Sequence, residues 1–406
     1  WGLRNLGSNG GTPDADIDAE LAWDQTTGNR DVVVAVIDSG VDYLHPDLNG
    51  NIWANVDEVA GNGIDDDGNG FVDDIRGYDF YAGDADPMDG DFHGTHCAGT
   101  IGALGNNNYG VVGVSHFVSL MPVRFLGPGG GGSISDAIAA IYYAVDNGAD
   151  ILSNSWGGGG NSALLKKAID YARDRDVLFV AAAGNDGSDN DSSPQYPASY
   201  DAENVISVAA SNRRDELPYW SNYGRQSVDL AAPGQAILST TPNERFEDYS
   251  GTSMATPHVA GAAALLLAYN RDLSALEIKS LLLSSVDSKA AFQGRTLSGG
   301  RLNIATAFTA SKPVLATISR GGSGTIAPSS DGSISINLDG SAVDSGIYES
   351  TVVINLDTQP GEPYRIPVTT LVGRAQVRGL AVTSNRADTS VSISWNRQDG
   401  TDGYQI

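Results

Sequence analysis

Cysteine, basic residues and long apolar runs are all scarce in this 406-residue chain. Its one cysteine, Cys97, cannot form an intrachain disulfide bond, so no disulfide framework stabilises the fold. The 24 lysine and arginine residues are outnumbered by 50 aspartate and glutamate residues, which gives a net charge of −26. This charge argues against nucleic acids and anionic membranes as partners, and it favours solubility, salt tolerance or bound cations.

No apolar run approaches the ~18 residues that a membrane-spanning helix requires. The longest run, residues 259–268, is predicted to form a buried core helix. The chain opens on Trp1 without the charged and apolar regions of a secretory signal, as we would expect of a processed mature form. Membrane association is therefore not expected.

Short apolar runs alternate with longer stretches of helical periodicity up to about residue 309. Strand-like runs occupy residues 32–37, 117–123, 150–154, 177–182 and 205–209, and helical stretches occupy residues 134–147, 162–175, 253–269 and 274–284. A continuous apolar run such as 32–37 is typical of a strand buried on both faces of a parallel sheet. The alternation predicts an α/β fold with a doubly wound, mostly parallel sheet.

The segment 251–255 (Gly-Thr-Ser-Met-Ala) places a hydroxyl between small residues at the start of a predicted apolar helix. Small neighbours allow a substrate to approach Ser253, and unpaired N–H groups at a helix N-terminus stabilise developing negative charge. This pattern favours a catalytic nucleophile. The alternative is a helix N-cap, the commonest role of a serine in such a place.

Two further segments supply the groups that a nucleophilic serine requires. Asp38 follows the run 32–37, and His93 opens a His-Gly-Thr-His segment that leads into a helix. A serine nucleophile needs a histidine base, and the base needs a carboxylate that fixes its tautomer. His93, His96 and Cys97 could also be clustered zinc ligands, but zinc peptidases use His-Glu-x-x-His, and no glutamate lies between these histidines. His96 is instead predicted to pack inside the fold.

The segments 36–40, 93–96 and 251–255 resemble the three signature blocks of the subtilisin family of serine endopeptidases. The chain order Asp, His, Ser is also the order found in that family. The resemblance extends over about residues 1–309 and is closest to the thermitase-like, calcium-rich bacterial branch. It implies a subtilisin-like fold for this part of the chain.

The resemblance also implies catalytic roles. Asp38 would orient and stabilise His93, which would act as general base and then as general acid while Ser253 attacks the peptide carbonyl. The side-chain amide of Asn185 and the backbone N–H of Ser253 would hold the oxyanion.

The same resemblance implies how a substrate binds. Two edge segments would clasp an extended peptide as an added strand, and an S1 pocket would accept its P1 side chain. The residues implied are Gly130 and Gly132 in the first segment, Ser155, Trp156 and Gly157 in the second, and Ala182, Ala183, Gly184, Asp186 and Gln195 at the S1 pocket. Trp156 would contribute to an apolar S4 site, and Gln195 stands at the pocket floor where relatives often have a small residue. We expect broad specificity with large apolar or amphipathic P1 residues. The alternative for the glycine-rich segment is a plain mobile loop.

Residues 65–74 carry oxygen-bearing side chains at alternate positions around a glycine turn. This pattern resembles the first nine positions of an EF-hand-type calcium loop, with ligands from Asp65, Asp67, Asn69, the Phe71 carbonyl and Asp73. Arg76 stands where an EF-hand has its bidentate glutamate, and Asp74 is a candidate substitute. The alternative is a solvated acidic loop, although its carboxylates would repel one another without a cation.

The family resemblance implies two more calcium sites. One would be formed by Asp47, Asn107 and the backbone carbonyls of Leu104, Tyr109 and Val111, and the other by Asp79, Asp84 and Asp86. We therefore expect two or three structural Ca²⁺ ions, which stabilise the folded state because they bind it in preference to the unfolded chain.

The composition changes after residue 311, where helical periodicity stops and short β-rich runs begin. These runs predict a small all-β sandwich over residues 310–373. Residues 375–406 resemble the opening strands of a fibronectin type III module but are too few to complete one. Such modules either bind substrate or act as spacers that are removed on maturation.

Together these features predict a secreted, calcium-stabilised serine endopeptidase with a peptidase domain at residues 1–309. Secretion, an N-terminal propeptide that is removed on maturation, and a monomeric state are expectations from the family resemblance. Protein and peptide substrates are the expected partners. The alternative is a catalytically inactive calcium-binding adhesive or scaffold protein.

Overall fold

The computed structural model describes residues 1–311 and six strands that follow them. The chain divides into two compact units, Trp1–Ser311 and Lys312–Ile406. The first unit contains every residue that the sequence associates with catalysis or calcium.

Eleven strands are described in the first unit. They are β1 (Gly28–Asp38), β2 (Tyr78–Asp79), β3 (Phe117–Arg124), β4 (Ile151–Asn154), β5 (Leu178–Ala182), β6 (Val205–Ser211), β7 (Leu230–Pro233), β8 (Ile237–Thr241), β9 (Arg245–Tyr249), β10 (Asp287–Ser288) and β11 (Gly300–Arg301). Nine of them form one sheet in the order β10-β11-β7-β6-β5-β4-β1-β3-β2, and β8 and β9 form a separate antiparallel hairpin. Within the nine-stranded sheet only β10 pairs antiparallel, which confirms the prediction of a mostly parallel sheet.

Seven α-helices accompany these strands. They are α1 (Ala19–Trp23), α2 (His93–Gly102), α3 (Ile134–Asp146), α4 (Ala163–Arg173), α5 (Thr252–Tyr269), α6 (Ala275–Ser284) and α7 (Ile304–Ser311), with 3₁₀ turns at Ser8–Gly10 and Asn49–Asn51. The predicted helices at 134–147, 162–175, 253–269 and 274–284 are all confirmed to within two residues at each end. None of the helices in the described part of the chain is both long enough and apolar enough to span a membrane.

The strand β1 shows why its sequence is apolar without alternation. Val34 and Val36 belong to a core that includes residues of α2 and α5, whereas Ala35 and Ile37 belong to a second core that includes residues of α3 and α4. Successive side chains of a strand point to opposite faces, so a sheet covered by helices on both faces requires apolar residues at every position. This two-sided burial confirms the doubly wound arrangement.

The helix starts differ in a way that matters for function. The side chains of Ser133, Ser162 and Ser274 accept backbone N–H bonds at the starts of α3, α4 and α6. At the start of α5, Gly251 holds the N-cap position and has no side chain with which to cap the helix. The interpretation of Ser253 as an N-cap is therefore wrong, because Ser253 lies inside the first turn.

The second unit is described through its strands β12 (Ala316–Ile318), β13 (Ser333–Leu338), β14 (Gly346–Ile354), β15 (Tyr364–Val372), β16 (Leu380–Asn385) and β17 (Ser390–Trp395). They form a four-stranded antiparallel sheet in the order β12-β13-β16-β17 and the antiparallel pair β14-β15. The connecting segments lie outside the described residues. The division into a sandwich (310–373) and a fibronectin type III-like module (375–406) stays a prediction.

Candidate active site

Neighbouring strands of the parallel sheet end at one edge and carry the candidate catalytic groups there. Asp38 is the last residue of β1, Ser155 directly follows β4, and Asn185 comes three residues after β5. These three strands are adjacent in the sheet. Loops outside the carboxyl ends of parallel strands are the usual place for sites in open α/β sheets.

Asp38 and His93 form a hydrogen-bonded pair. His93 Nδ1 lies 2.8 Å from Asp38 Oδ1, and the same oxygen accepts the Ser39 N–H at 2.7 Å. Asp38 is fully buried, whereas a quarter of the His93 side chain is exposed. Burial alone would lower the pKa of His93, but the charge and hydrogen bond of Asp38 outweigh it, so this pKa is raised above its usual value. The pair suits a base that becomes cationic during a reaction.

Cys97 lies between Ser253 and the Asp38–His93 pair. The Cys97 sulfur lies 3.4 Å from the Ser253 carbonyl oxygen, and ligand atoms of Asp38, His93 and Cys97 lie within 4.8 Å of one another. The Ser253 hydroxyl itself donates to the Ser155 carbonyl at 3.1 Å. Asp38 and His93 are thus in direct contact, and the backbone of Ser253, which is distant in the sequence, lies beside Cys97 next to that pair.

The partners of His96 and Cys97 argue against the alternative of a zinc site formed by His93, His96 and Cys97. His96 Nε2 lies 2.9 Å from the Ile237 carbonyl oxygen and 3.1 Å from that of Glu247, both on the β8–β9 hairpin. Burial lowers the pKa of His96 to about 4, so this histidine is a neutral packed residue. Burial raises the pKa of the Cys97 thiol well above its usual value, which keeps it a thiol rather than a thiolate.

Two amide donors border a small space beside Ser253. The Asn185 side-chain oxygen accepts from the Thr252 N–H at 2.8 Å and from the Thr252 hydroxyl at 3.1 Å, which leaves its amide nitrogen free to point elsewhere. A methyl group placed on Gly251 would lie 3.5 Å from both Asn185 Nδ2 and the Ser253 nitrogen. Two N–H donors around one position can stabilise an oxyanion there.

This set of groups at the edge of a mostly parallel sheet agrees with a family model. The model of the subtilase family matches residues 29–303. The chain belongs to the subtilase family. A thermophilic serine proteinase of Bacillus sp. (strain AK1) is 41% identical over 290 residues, which are 71% of this chain and 65% of that relative. Thermitase of Thermoactinomyces vulgaris is 38% identical over 287 residues, 71% of this chain and 91% of thermitase.

Two solved structures of proteases share the fold of this subtilase. A protease from Pseudoalteromonas arctica PAMC 21717 aligns with a TM-score of 0.61 and 33% identity, covering 73% of this chain and 94% of that one. A cold-adapted subtilisin-like serine proteinase aligns with a TM-score of 0.56 and 33% identity, covering 68% and 89% of the two chains. Together with the family model, these relatives support the assignment of this chain as a serine endopeptidase.

The two edge segments of the subtilase differ in character. Gly127 and Gly130 are tied to Gly131 and Gly127 by backbone hydrogen bonds of 2.8 and 3.0 Å, so the glycine-rich segment is a closed turn. Gly132 is confined, since a Cβ there would lie 2.6 Å from the Phe125 carbonyl oxygen. In the second segment, Ser155 and Gly157 flank Trp156, which is mostly buried with its ring edge-on to Phe125 at 4.9 Å between centroids.

The predicted S1 residues lie along one loop. A Cβ on Gly184 would lie 3.5 Å from Gln195 Cγ, so Gln195 does flank this loop. Ala182 is buried, whereas Asp186 is exposed to solvent. The Ala183 side chain, by contrast, packs in a buried cluster with Phe292, so only its backbone faces the loop.

Asn222 holds this loop in place and was not found from the sequence. Its side-chain NH₂ group donates to the Ala183 backbone carbonyl at 3.1 Å and to the side-chain oxygen of Asn190 at 3.0 Å, and its side-chain oxygen accepts the N–H groups of Asp186 and Ser188 at 2.9 and 3.0 Å. Asn222 therefore fixes the backbone on both sides of Asn185. An asparagine in a Ser-Asn-Tyr-Gly segment carries no local signal beyond that of a turn.

Among the candidate calcium ligands, Asn107, Leu104 and Val111 contact Asp47, each through an N–H group. The Asp47 carboxylate accepts from Asn107 Nδ2 at 2.6 Å and from the Val111 N–H at 2.8 Å. The Leu104 N–H donates to the Asp47 carbonyl at 2.8 Å, and the Tyr109 N–H donates to the Asn107 side chain at 3.0 Å. The groups that face Asp47 are therefore N–H donors and not the carbonyl oxygens predicted for a calcium site, while the buried carboxylate itself is an oxygen donor of the type that Ca²⁺ takes.

The acidic loop 65–74 gathers a different set from the one expected. Carboxylate oxygens of Glu58, Asp65 and Asp67 lie within 4.8 Å of one another, and Glu58 was not predicted. Asp73 turns instead toward the Asn62 and Gly63 N–H groups, at 3.1 Å each.

Other members of this loop have structural partners. Asp74 is buried and accepts from the Tyr143 hydroxyl at 2.6 Å, and Asn69 donates to Asp67 and Asp74 at 3.1 Å each. The Phe71 ring packs against Tyr143 with 4.9 Å between centroids. The loop is therefore anchored to the domain through its later half.

In the described part of the chain, the carboxylates of Asp79, Asp84 and Asp86 do not form a cluster that could hold one ion. Asp79 is paired with Arg124 at 2.9 Å, while Asp86 accepts from the Tyr43 hydroxyl at 2.8 Å. Asp84 accepts the Asp86 N–H at 3.0 Å. A cation already neutralises Asp79, so this group fits Ca²⁺ less well than the other two.

Proposed function

We propose that this subtilase hydrolyses peptide bonds in proteins through an Asp38–His93–Ser253 triad. The single observation that carries the proposal is the 2.8 Å bond between His93 Nδ1 and Asp38 Oδ1, near which Ser253 lies in the first turn of α5. With Nδ1–H held by Asp38, the Nε2 atom of His93 is the nitrogen left to accept a proton.

In the proposed reaction the Ser253 hydroxyl oxygen attacks the peptide carbonyl while His93 Nε2 takes the hydroxyl proton. Asp38 stabilises the imidazolium that results. The negative charge that forms on the carbonyl oxygen is held by Asn185 Nδ2 and the Ser253 N–H. His93 then donates its proton to the leaving amine, and water releases the acyl group by the reverse sequence.

We propose that substrates bind as an extended strand between the glycine-rich turn 127–132 and the segment 155–157. Main-chain hydrogen bonds tolerate many sequences, so the proposed specificity is broad, with large apolar or amphipathic P1 side chains. Gln195 beside Gly184 narrows the pocket. Replacing Gln195 with glycine should raise kcat/KM for bulky P1 residues relative to small ones in a peptide series. An unchanged ranking would remove Gln195 from the pocket.

We propose two calcium sites, at Asp47 with its partners and at Glu58, Asp65 and Asp67. Ca²⁺ would supply no chemistry to the reaction; when bound, it would crosslink surface loops. Three carboxylates this close repel one another, which makes a bound cation favourable.

We also propose that the protein is secreted, that an N-terminal propeptide is removed on maturation, and that the mature protein is a monomer. The C-terminal modules would have a spacer role.

Casein hydrolysis tests the proposal against the alternative of an inactive calcium-binding scaffold. The wild-type chain should cleave casein and Ser253→Ala should not, although both should melt at similar temperatures. A folded wild-type protein without proteolytic activity would favour the scaffold.

A further inference from the structure

The turn that precedes α2 holds a partly buried carboxylate, that of Asp89, to which the proposed reaction gives no role. One of its oxygens accepts from the Ser39 hydroxyl and the Asp91 N–H, at 2.9 Å each. The other accepts from the Thr95 N–H at 2.9 Å and from the Thr95 hydroxyl. All four partners are donors. A carboxamide in this place would turn its NH₂ group toward at least one of them, so the position requires a carboxylate.

The two hydroxyl groups pass this anchoring on to the backbone. The Ser39 hydroxyl accepts the Gly94 N–H at 2.9 Å, and the Thr95 hydroxyl accepts the Asp42 N–H at 2.9 Å. Ser39 directly follows the last residue of β1, and Gly94 and Thr95 lie in the first turn of α2. Each hydroxyl therefore links the loop after β1 to the start of α2, with Asp89 as their common acceptor.

No side chain separates these two segments. A Cβ on Gly94 would lie 2.0 Å from the Gly40 carbonyl oxygen, and a Cβ on Gly40 would lie 2.6 Å from the Pro87 carbonyl oxygen. The backbones are thus in direct contact, and hydrogen bonds rather than packed side chains set their relative position. Asp38 and His93 are carried by these same two segments.

Asp89 also contributes charge. The groups that act on His93 are the carboxylates of Asp38, Asp89 and Asp91, which raise its pKa. The other titratable groups of α2, His96 and Cys97, are neutral. The cation that approaches the turn is Arg124, which donates to the Met88 carbonyl at 3.3 Å and pairs with Asp79.

We propose that Asp89 is a positioning residue: through two hydroxyl groups it holds Asp38 and His93 in the alignment that proton transfer requires. The inference rests on the proposed function, because it assumes that His93 is the general base. Loss of the carboxylate should therefore impair the chemical step and also lower the pH at which His93 protonates.

Two variants separate geometry from charge. Asp89→Asn removes both, and Ser39→Ala removes one of the two links while leaving the charge of Asp89 in place. For each, kcat and KM with a chromogenic peptide and the pH profile of kcat/KM are measured per active site, titrated with a serine-directed fluorophosphonate. Asp31→Asn, an exposed carboxylate at the opposite end of β1, is the matched control.

We expect Asp89→Asn to lose up to about 100-fold in kcat, the size of loss that small misplacements of reacting groups produce, with KM nearly unchanged. Its acid limb should move to lower pH. Ser39→Ala should lose kcat with the acid limb unmoved, and Asp31→Asn should match the wild type. Unchanged kcat in either site variant, or an acid limb that stays in place in Asp89→Asn, would overturn the inference. If Asp89→Asn does not fold, Ser39→Ala decides. A wild-type protein that the fluorophosphonate fails to label would instead refute the proposed function.

Discussion

The side chain of Asn185 has two jobs in the structure, and substitutions can separate them. Its oxygen accepts from Thr252 N–H at the start of α5, while its nitrogen borders the space beside Ser253. Asn185→Ala should lose both functions. Asn185→Asp should keep the acceptor and replace the donor with an anionic oxygen.

For Asn185→Ala we expect kcat to fall about 10²- to 10³-fold, because losing one oxyanion donor costs about 2.7–4 kcal/mol, a value that comes from a subtilisin itself. KM should change little, since the donor acts on the transition state. The lost contact with the helix start should lower the free energy of unfolding by about 0.5–2 kcal/mol, as for other caps.

For Asn185→Asp the loss of kcat should be at least as large, because negative charge now faces the developing oxyanion. Stability should be retained or should rise by about 0.3–1 kcal/mol, since a carboxylate suits a helix N-terminus. Steady-state kinetics per titrated active site and denaturant melts measure the two effects. Full activity in Asn185→Ala, or a loss that lies in KM alone, would refute the assignment of this donor.

Three other predictions concern pH, calcium and the buried ion pairs. Activity should fall as the pH drops through a value above the usual histidine pKa near 6.5, because the raised pKa of His93 keeps the base protonated up to that value; an acidic optimum of kcat/KM would contradict this. EDTA should lower the melting temperature and speed autolysis, and Glu58→Gln should reduce the difference between melts with and without calcium; an unchanged melt in EDTA would remove calcium from the account. Arg301 is fully buried and pairs with Asp215 and Asp287. The substitution Arg301→Ala should lower the free energy of unfolding by about 3–5 kcal/mol, because two partly buried carboxylates lose their cation. A chemical denaturation curve measures that cost, and a change below 1 kcal/mol would show that water or Lys289 compensates.

Regular elements with strong periodicity could be predicted from the sequence, and short or exposed ones could not. The continuous apolar run of β1 reports burial on both faces, which only a covered parallel sheet provides. The hairpin strand β9 has mostly exposed and charged residues, and β10 and β11 have two residues each. β9 is held by its hairpin partner β8, and β10 and β11 by pairing within the large sheet, so the residues of these strands show no apolar pattern of their own.

The candidate site divides in the same way. Asp38, His93 and Ser253 lie in distinctive segments that the sequence alone could connect with a triad. Glu58 lies seven residues before the acidic loop, and its approach to Asp65 follows from the path of the intervening turn. The hydrogen bond between Asp89 and Ser39 likewise joins residues that are 50 positions apart. Only three-dimensional placement shows these contacts.

The central claim is that Ser253 is a nucleophile activated by His93. Mass spectrometry after reaction with a serine-directed fluorophosphonate, in calcium and in EDTA, tests it most directly. The account predicts one adduct, on Ser253, that forms rapidly in the wild type, slowly in His93→Ala and not at all in Ser253→Ala. A folded wild-type protein that forms no adduct, or one that is modified at a different residue, would contradict it.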